Sequence, residues 1–405
     1  MKIAILNSVI SKTTSTGKLV CDIGESLLSY GEQVVVYYSQ EKADEQRSAY
    51  AQKFGYKWEN KLHALLSRIT GKQGYYSYFG TKSLINKLKR QQPDIVHLHN
   101  LHSNDICLPL LFKYLRKAKI KTVVNLHDCW YYTGRCYHYT KDSCYQWKEV
   151  CKGCPSTCRS NPYWFFKRSR KLLKDKKKFF SNLKKIKFIG VSKWIVEQAK
   201  QSTILQDKDI CYIYNWVDLQ CFSIDKAGFF KKENNLEKDK IVLAVCGKWV
   251  EEKGLIDLLH VGKKLPKHIK LVMIGKIDDS IKEKYKKEIL FLPPVYNKEK
   301  LAQAYADADV YLNLSREESF GLTNAEALSC GTPIVVYNST ASPEFVTGEC
   351  GYVAKVGNVK DVVYGIEKVL IADRAQVREK CSLFAKENFD KERNIEKYYR
   401  IYQSL

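Results

Sequence analysis

Residues 310–333 of the chain read VYLNLSREESFGLTNAEALSCGTP. Residues 310–314 form an apolar run typical of a buried strand, and the segment from residue 322 onward has the composition of a helix. Gly321 lies between them, where a residue without a side chain lets the backbone approach a ligand closely. The stretch therefore predicts a strand, a polar loop and a helix.

This helix start is a candidate phosphate site. The N–H groups of Leu322 and Thr323 have no partner inside the helix, and the helix dipole favours an anion there. Glu318 lies in the loop, and Glu326 lies about one turn inside the helix, where it could accept hydrogen bonds from sugar hydroxyls. An acidic loop that suits the helix dipole is the structural alternative, which we favour for Glu317.

The same alternation of short apolar runs and amphipathic stretches extends along nearly the whole chain. It predicts an α/β protein with two Rossmann-like, doubly wound parallel-sheet domains and a ligand cleft between them. The predicted strands are 3–6, 33–38, 95–98, 122–126, 188–191 and 211–214 in the first half, and 241–245, 269–274, 289–292, 310–314 and 333–337 in the second.

Composition shifts suggest the domain boundaries. We predict a first domain over residues 1–222, with a Cys-rich insertion at 129–162. The polar, Lys/Asn-rich segment 223–240 is the predicted linker. It is followed by a second domain over 241–387 and a closing helix over 388–405.

The charge is distributed unevenly along the 405 residues. Residues 1–200 carry 37 Lys and Arg against 14 Asp and Glu, whereas residues 201–405 carry 31 against 30. A basic half suits a nucleic acid, an anionic membrane surface or a phosphate-bearing substrate. The chain has no apolar run long enough to span a bilayer, and its start predicts a strand and not a signal peptide, so we expect a cytoplasmic protein.

A second block follows the first strand of the second half, where residues 247–254 read GKWVEEKG. Together with the Glu318 to Glu326 pattern, it resembles the retaining family 4 glycosyltransferases, which have the GT-B fold. The resemblance implies that Lys248 and Lys253 bind the donor diphosphate, with lysine at 248 where the family usually has arginine. It implies that Glu326 contacts the ribose and that Glu318 contacts the transferred sugar. The backbone of residues 320–322 (Phe320, Gly321 and Leu322) would close over the donor.

The first half carries further candidates. Gly17 and Lys18 lie at a predicted helix start, and family relatives have a glycine-rich turn there that touches the diphosphate; simple helix capping is the alternative. His127 follows a predicted strand and matches the family histidine beside the donor sugar. We expect His97 and His99 to be structural and to face opposite layers of the fold.

Four cysteines lie close together in the insertion. Cys136, Cys144, Cys151 and Cys154 have the spacing C-x7-C-x6-C-x2-C, with Cys158 four residues further on. Thiols stay reduced in the cytosol, and four thiolates suit a tetrahedral structural zinc. Ordinary reduced thiols are the alternative.

Residues 165–187 hold 11 Lys and Arg against one acidic residue, with apolar side chains at near-helical spacing. The segment predicts a basic amphipathic helix that docks on an anionic membrane. A solvated helix packed on the sheet is the alternative.

The hypothesis is a retaining hexosyltransferase that moves a sugar from a nucleotide-sugar to a lipid-linked or oligosaccharide acceptor in bacterial capsule, O-antigen or exopolysaccharide synthesis. It would act without a catalytic metal and without nucleic acid, peripherally on the inner face of the cell membrane. The rival class is a zinc-containing nucleic-acid-binding protein, which would use the basic half and the cysteines. Within enzymes, a GT-B sugar phosphorylase or a nucleotide-sugar epimerase is the alternative.

Overall fold

The computed structural model describes residues 1–11, 15–40, 45–155 and 162–405. The chain divides into two compact units. Unit 1 comprises Met1–Ile213 and Ile395–Leu405, and unit 2 comprises Tyr214–Asn394. The division falls after residue 213, and segment 223–240 contributes a turn and a short helix to unit 2.

Unit 1 is an α/β unit with one parallel sheet. Its strands are β1 (Lys2–Leu6), β2 (Gln33–Tyr38), β3 (Ala51–Lys53), β4 (Ile95–Leu98), β5 (Lys121–Leu126), β6 (Ile186–Gly190) and β7 (Ile210–Tyr212). Its helices are α1 (Ser15–Ser29), α2 (Glu45–Ser48), α3 (Lys57–Thr70), α4 (Tyr78–Gln91), α5 (Leu108–Ala118), α6 (Ser169–Ser181) and α7 (Lys193–Lys200). The strand order in the described part of the unit is β3-β2-β1-β4-β5-β6-β7, and neighbouring strands pair in parallel.

Unit 2 repeats this architecture. Its strands are β8 (Lys240–Lys248), β9 (Ile269–Lys276), β10 (Ile289–Leu292), β11 (Val310–Asn313), β12 (Ile334–Tyr337) and β13 (Gly351–Ala354). Its helices are α8 (Phe230–Glu233), α9 (Leu255–Lys264), α10 (Asp279–Tyr285), α11 (Lys298–Asp307), α12 (Leu322–Ser329), α13 (Val359–Ile371) and α14 (Arg374–Phe389). The parallel strands follow the order β10-β9-β8-β11-β12-β13.

Helices on the faces of each sheet explain why the central strands are almost uniformly apolar. Ile3, Ile5 and Leu6 of β1 are fully buried, as are Val242 and Leu243 of β8. Strands covered on both faces need apolar side chains on both sides. The predicted pair of doubly wound parallel sheets is therefore confirmed.

The last helix, α15 (Lys391–Ser404), brings the chain back to unit 1. The Tyr398 hydroxyl donates to Asn125 Oδ1 at 3.0 Å, beside β5. The Tyr402 hydroxyl hydrogen-bonds His97 Nδ1 of β4 at 2.8 Å. Unit 1 is thus completed by residues from both ends of the chain.

The segment expected to dock on a membrane forms α6, and its apolar side faces the core. Leu172, Leu173 and Phe180 are buried, and Phe180 packs on the rings of Phe112 and Phe188 at 5.4 and 5.1 Å. The apolar side of α6 is therefore a packing surface, as in the alternative of a helix packed on the sheet. Phe165 and Phe166, which precede the helix in the same segment, are exposed, and membrane docking of the segment stays a prediction. Among the described helices, none combines the length and apolar character needed to cross a bilayer.

Candidate functional site

Two loops of unit 2 meet where β8 and β11 end. The first contains a turn at Glu251–Lys253, and Gly254 starts α9 with a left-handed φ of 76°. A side chain on Gly254 would collide with the backbone of Leu314. Arg316 N–H also donates to the Glu252 carbonyl at 2.9 Å. The sequence block 247–254 is thereby held against the loop that precedes α12.

Lys253 and Glu318 form an ion pair across these loops. The Lys253 ammonium lies 2.6 Å from Glu318 Oε1 and 3.4 Å from Ser315 Oγ. Burial disfavours the charged ammonium, but the Glu318 carboxylate outweighs that effect, and the pKa of Lys253 lies above its usual value. Lys253 therefore stays charged at neutral pH. An ammonium has three donors, so a further one is left for an anionic ligand.

Helix α12 begins at Leu322, where the sequence predicts a helix start. Gly321 precedes the helix with a φ of 99°, in the left-handed region that favours glycine. Phe320 is buried against the rings of Phe345 and Phe389, at 5.1 and 5.7 Å, so only its backbone is available to a ligand. Glu326 accepts a hydrogen bond from the Tyr305 hydroxyl at 3.2 Å.

A cavity of about 250 Å³ lies between the ends of β8 and β11 and the start of α12. Of the predicted residues, Lys253, Glu318 and Leu322 line it. Thr323, whose N–H the sequence analysis named together with that of Leu322, lines it as well. Sequence reasoning gave no individual role to the other lining residues, which are Val245, Cys246, Gly247, Trp249, Tyr311, Leu312, Asn313 and Leu314. Two features of the sequence could have identified these lining residues: the run GKW at 247–249 directly after a predicted strand, and the predicted strand residues before Ser315. Both lie at strand ends, and the ends of parallel strands meet at one edge of a sheet.

Four predicted residues of unit 2, which are Lys248, Phe320, Gly321 and Glu326, lie outside this lining. Lys248 is exposed at the end of β8, and Glu326 is set back by its position inside α12. Larger cavities of about 660 and 420 Å³ lie in unit 1 beside α5, and no predicted site residue lines them. The convergence of predicted residues, and not cavity size, marks the candidate site.

His127 directly follows β5 in unit 1 and is part of a polar network. His127 Nε2 lies 2.8 Å from His99 Nδ1 and 3.4 Å from the Asn125 amide nitrogen. Tyr398 orients that amide by donating to its oxygen. Burial lowers the pKa of His127 to about 4, so the ring is neutral at pH 7. With Nε2 accepting, its proton is on Nδ1.

The two histidines that were expected to be structural, His97 and His99, lie side by side. His97 and His99 have ring centroids 4.1 Å apart and a hydrogen bond between ring nitrogens at 3.3 Å. Residues two apart in a strand point to the same side, so the expectation that they face opposite layers was wrong. Gly17 and Lys18 lie in the first turn of α1, the helix that follows β1.

The four predicted zinc ligands come together in the insertion. Cys136 and Cys154 hydrogen-bond each other, and this contact, with burial, raises the pKa of the Cys136 thiol. Cys144 and Cys151 also act on it electrostatically, and burial raises the pKa of Cys151 to about 11. In the described ranges no set of three or more His, Cys, Asp or Glu side chains is placed to hold a metal ion. Cys158 lies outside those ranges.

Zinc binding by this cluster stays a prediction, which metal analysis tests. We expect about one zinc per chain in protein purified without a histidine tag, and none after Cys154→Ser, since a structural site needs all four ligands. The variant should melt at a lower temperature while nucleotide-sugar binding is retained, with Cys211→Ser in β7 as the control. Folded wild-type protein with far less zinc would contradict the prediction.

Two family models cover nearly the whole chain. Residues 16–220 match "Glycosyltransferase Family 4", and residues 227–388 match "Glycosyl transferases group 1". An uncharacterized 41.2 kDa protein in the cps region of Klebsiella pneumoniae is 27% identical over 333 residues, which is 79% of this chain and 82% of the relative. The capsular polysaccharide biosynthesis glycosyltransferase CapM of Staphylococcus aureus is 26% identical over 168 residues, 38% of this chain and 43% of CapM.

Solved structures share the fold over the full length. Anabaena HepE in complex with UDP superimposes with a TM-score of 0.72 at 14% identity, covering 100% of both chains. Two parallel α/β units with this likeness have the GT-B fold, and the two family models identify the class as glycosyltransferase. The chain belongs to glycosyltransferase family 4. The predicted class is confirmed, and the rival nucleic-acid-binding class does not account for these matches.

Proposed function

We propose that the chain is a retaining hexosyltransferase that transfers a sugar from a nucleotide-sugar to a lipid-linked glycan acceptor. The transfer would contribute to capsule, O-antigen or exopolysaccharide synthesis at the inner face of the cell membrane. The observation that carries the proposal is the Lys253–Glu318 pair at the cavity beside the start of α12. A neighbour solved with UDP and a relative named for capsular polysaccharide synthesis support the donor class and the pathway class.

Unit 2 is the proposed donor side. The diphosphate would lie against the Lys253 ammonium and the N–H groups of Leu322 and Thr323, all of which border the cavity. Lys248 would reach it from the exposed end of β8. Glu326, steadied by the Tyr305 hydroxyl, would accept hydrogen bonds from the ribose.

Departure of the diphosphate is the costly step in this reaction. Negative charge grows on the leaving oxygens, and donors that already point at that position stabilise it without rearrangement. Lys253 meets this condition because Glu318 and Ser315 fix its ammonium. The two lysines would supply the neutralising charge, so we propose no catalytic metal. Attack of the acceptor would come from the face that the diphosphate leaves, and the anomeric configuration would be retained.

Unit 1 is the proposed acceptor side. Its neutral His127 has a proton on Nδ1 and would act as a hydrogen-bond donor beside the transferred sugar, not as a general base. Gly17 and Lys18, in the first turn of α1, would contribute contacts to the diphosphate. Glu318 would steady the sugar from unit 2.

A thermal-shift screen against a panel of nucleotide-sugars tests the donor site. At least one member should raise the melting temperature of the wild type, because a ligand that binds only the folded state stabilises it. Glu326→Ala should reduce that shift, since the ribose contact is lost. Glu283→Ala, which removes an exposed carboxylate of α10, is the matched control and should leave the shift unchanged.

Product analysis then tests the reaction. Incubation with a glycan-lipid fraction should give a glycosylated lipid in which the donor's anomeric configuration is retained, as read by NMR. An inverted product would contradict the retaining mechanism. Sugar 1-phosphate formed with inorganic phosphate would favour a phosphorylase, and an isomerised donor would favour an epimerase.

A further inference from the structure

Helix α3 has its polar side inside and its apolar side outside. Glu59, His63 and Ser67 are buried, with Glu59 only 2% exposed. Trp58, Leu62 and Leu65 recur at helical spacing on the opposite side and are exposed, with Trp58 at 56%. Surface helices of globular proteins normally show the reverse arrangement. The exposed side therefore has to be explained by something other than the core of unit 1.

The buried polar side is fully engaged, so this orientation of the helix is specific. Glu59 accepts hydrogen bonds from the N–H groups of Phe79 and Gly80, both at 2.7 Å, at the start of α4. His63 Nε2 accepts from Gly74 N–H at 3.0 Å, which places the ring proton on Nδ1, 2.8 Å from Ser77 Oγ. Rotating α3 to bury its apolar side would break these contacts, and unpaired buried polar groups are costly.

Neighbouring aromatic residues extend the apolar side of α3. At one end the Trp58 ring lies 6.1 Å from Phe79 of α4. At the other end Trp164 N–H donates to the Arg68 carbonyl at 2.6 Å, which holds the loop 164–166 against the helix. We call this surface the docking strip, and its exposed members are Trp58, Leu62, Leu65, Tyr78, Phe79, Trp164, Phe165 and Phe166.

The docking strip is flanked by positive charge. The basic residues of segments 57–72, 78–83 and 164–171 are Lys57, Lys61, Arg68, Lys72, Lys82, Lys167, Arg168, Arg170 and Lys171. The single carboxylate of those segments is Glu59, which is buried under α3. The exposed surface therefore combines aromatic and aliphatic side chains with a one-sided positive charge.

We propose that the docking strip binds the surface of an anionic lipid bilayer, with α3 lying in the plane of the interface. Tryptophan and tyrosine suit the headgroup region, and lysine and arginine stems lie along apolar surface while their charges reach lipid phosphates. Protein interfaces instead are depleted in lysine, which is abundant here. The inference rests on the proposed function, in which the enzyme acts at a membrane surface. It assigns the contact with that surface to the docking strip on α3 instead of to α6.

Vesicle co-sedimentation tests the strip. Wild-type protein should sediment with vesicles of equal parts phosphatidylglycerol and phosphatidylcholine, and much less with phosphatidylcholine alone. The triple variant Trp58→Ser, Phe79→Ser, Phe165→Ser should need at least roughly tenfold more lipid for the same binding, since it loses three inserted aromatic groups. The control carries Phe229→Ser, Tyr296→Ser and Ile371→Ser, three exposed apolar residues of unit 2, and should bind as the wild type does.

The possible outcomes distinguish failure of the docking-strip proposal from failure of the proposed transferase function. Equal sedimentation of the strip variant and the wild type would overturn the strip. No sedimentation of the wild type would overturn the membrane partner as well, while a donor-induced thermal shift would leave the transferase proposal standing. A lipid-free wild-type dimer that the strip mutations convert to monomer would assign the surface to a second copy and overturn the proposal. An unchanged donor shift in the triple variant would show that it is folded.

Discussion

Replacing Lys253 by alanine is expected to lower the turnover number by roughly 10²- to 10³-fold, which is the usual effect of removing one fixed donor from a developing negative charge. Lys253 is the half-buried partner of Glu318 and lines the cavity beside α12. Lys248→Ala is the comparison variant, because it removes the same charge from an exposed position outside the lining, where the proposed contact with the diphosphate is weaker. Its effect should be much smaller. The measurement is steady-state kinetics with the donor found in the thermal-shift screen.

Two further variants locate the cause of that loss. Lys253→Ala leaves the Glu318 carboxylate without its ammonium partner, so part of the effect could come from an unpaired charge. Glu318→Ala should chiefly lower turnover with little change in donor affinity. If the double variant recovered most of the activity, or if Lys253→Ala and Lys248→Ala were both near wild type, the leaving-group role of Lys253 would be wrong.

Asp309→Ala is expected to destabilise unit 2 by about 3–5 kcal/mol, the range typical of removing one partner from a buried ion pair. Asp309 is buried at the start of β11, with Lys231 and Arg374 each 3.0 Å from its carboxylate and Lys240 at 3.5 Å. Ile241 N–H donates to the same group at 2.9 Å. Asp279→Ala, which breaks an exposed pair with Lys282, is the control and should have little effect. Urea unfolding at pH 7 gives the comparison.

The same carboxylate links stability to pH. Burial raises the pKa of Asp309, but the Ile241 N–H and the cations outweigh burial, and the net shift is downward. A group with a lowered pKa in the folded state contributes its stability above its unfolded pKa, near 3.9, and loses that contribution as the pH falls through the folded value. The stability difference between wild type and Asp309→Asn should therefore shrink below pH 4. A constant difference from pH 7 to pH 2 would contradict this assignment.

The sequence alone predicted the elements of the fold correctly where the strands are long and covered on both faces. The predicted strand, loop and helix of 310–333 correspond to β11, the loop with Gly321, and α12. The edge strands β3 and β13 were missed, since Ala51–Lys53 and Gly351–Ala354 are too short to show a period. Hydrogen bonds to a neighbouring strand define these elements, and single-sequence patterns do not contain that information.

Amphipathic patterns identified helices without identifying what their apolar sides contact. The stripe of α6 packs into unit 1, although its charge pattern favoured lipid. In α3, the buried partners of Glu59 and His63 decide which side faces out, and those partners belong to α4 and to the loop before it. The Lys253–Glu318 pair is similar, because it depends on two loops that lie far apart in the sequence. Spacing suggested both residues but not their contact.

The return of α15 to unit 1 has a consequence for the order of folding during synthesis. Tyr398 and Tyr402 cover polar groups of β4 and β5, which are made near the start of translation. Domains usually fold in the order in which they leave the ribosome. In this chain, residues 214–394 are all made before the tyrosines that complete unit 1. Unit 2 can therefore fold first, while Asn125 and His97 of unit 1 still lack the tyrosines that cover them.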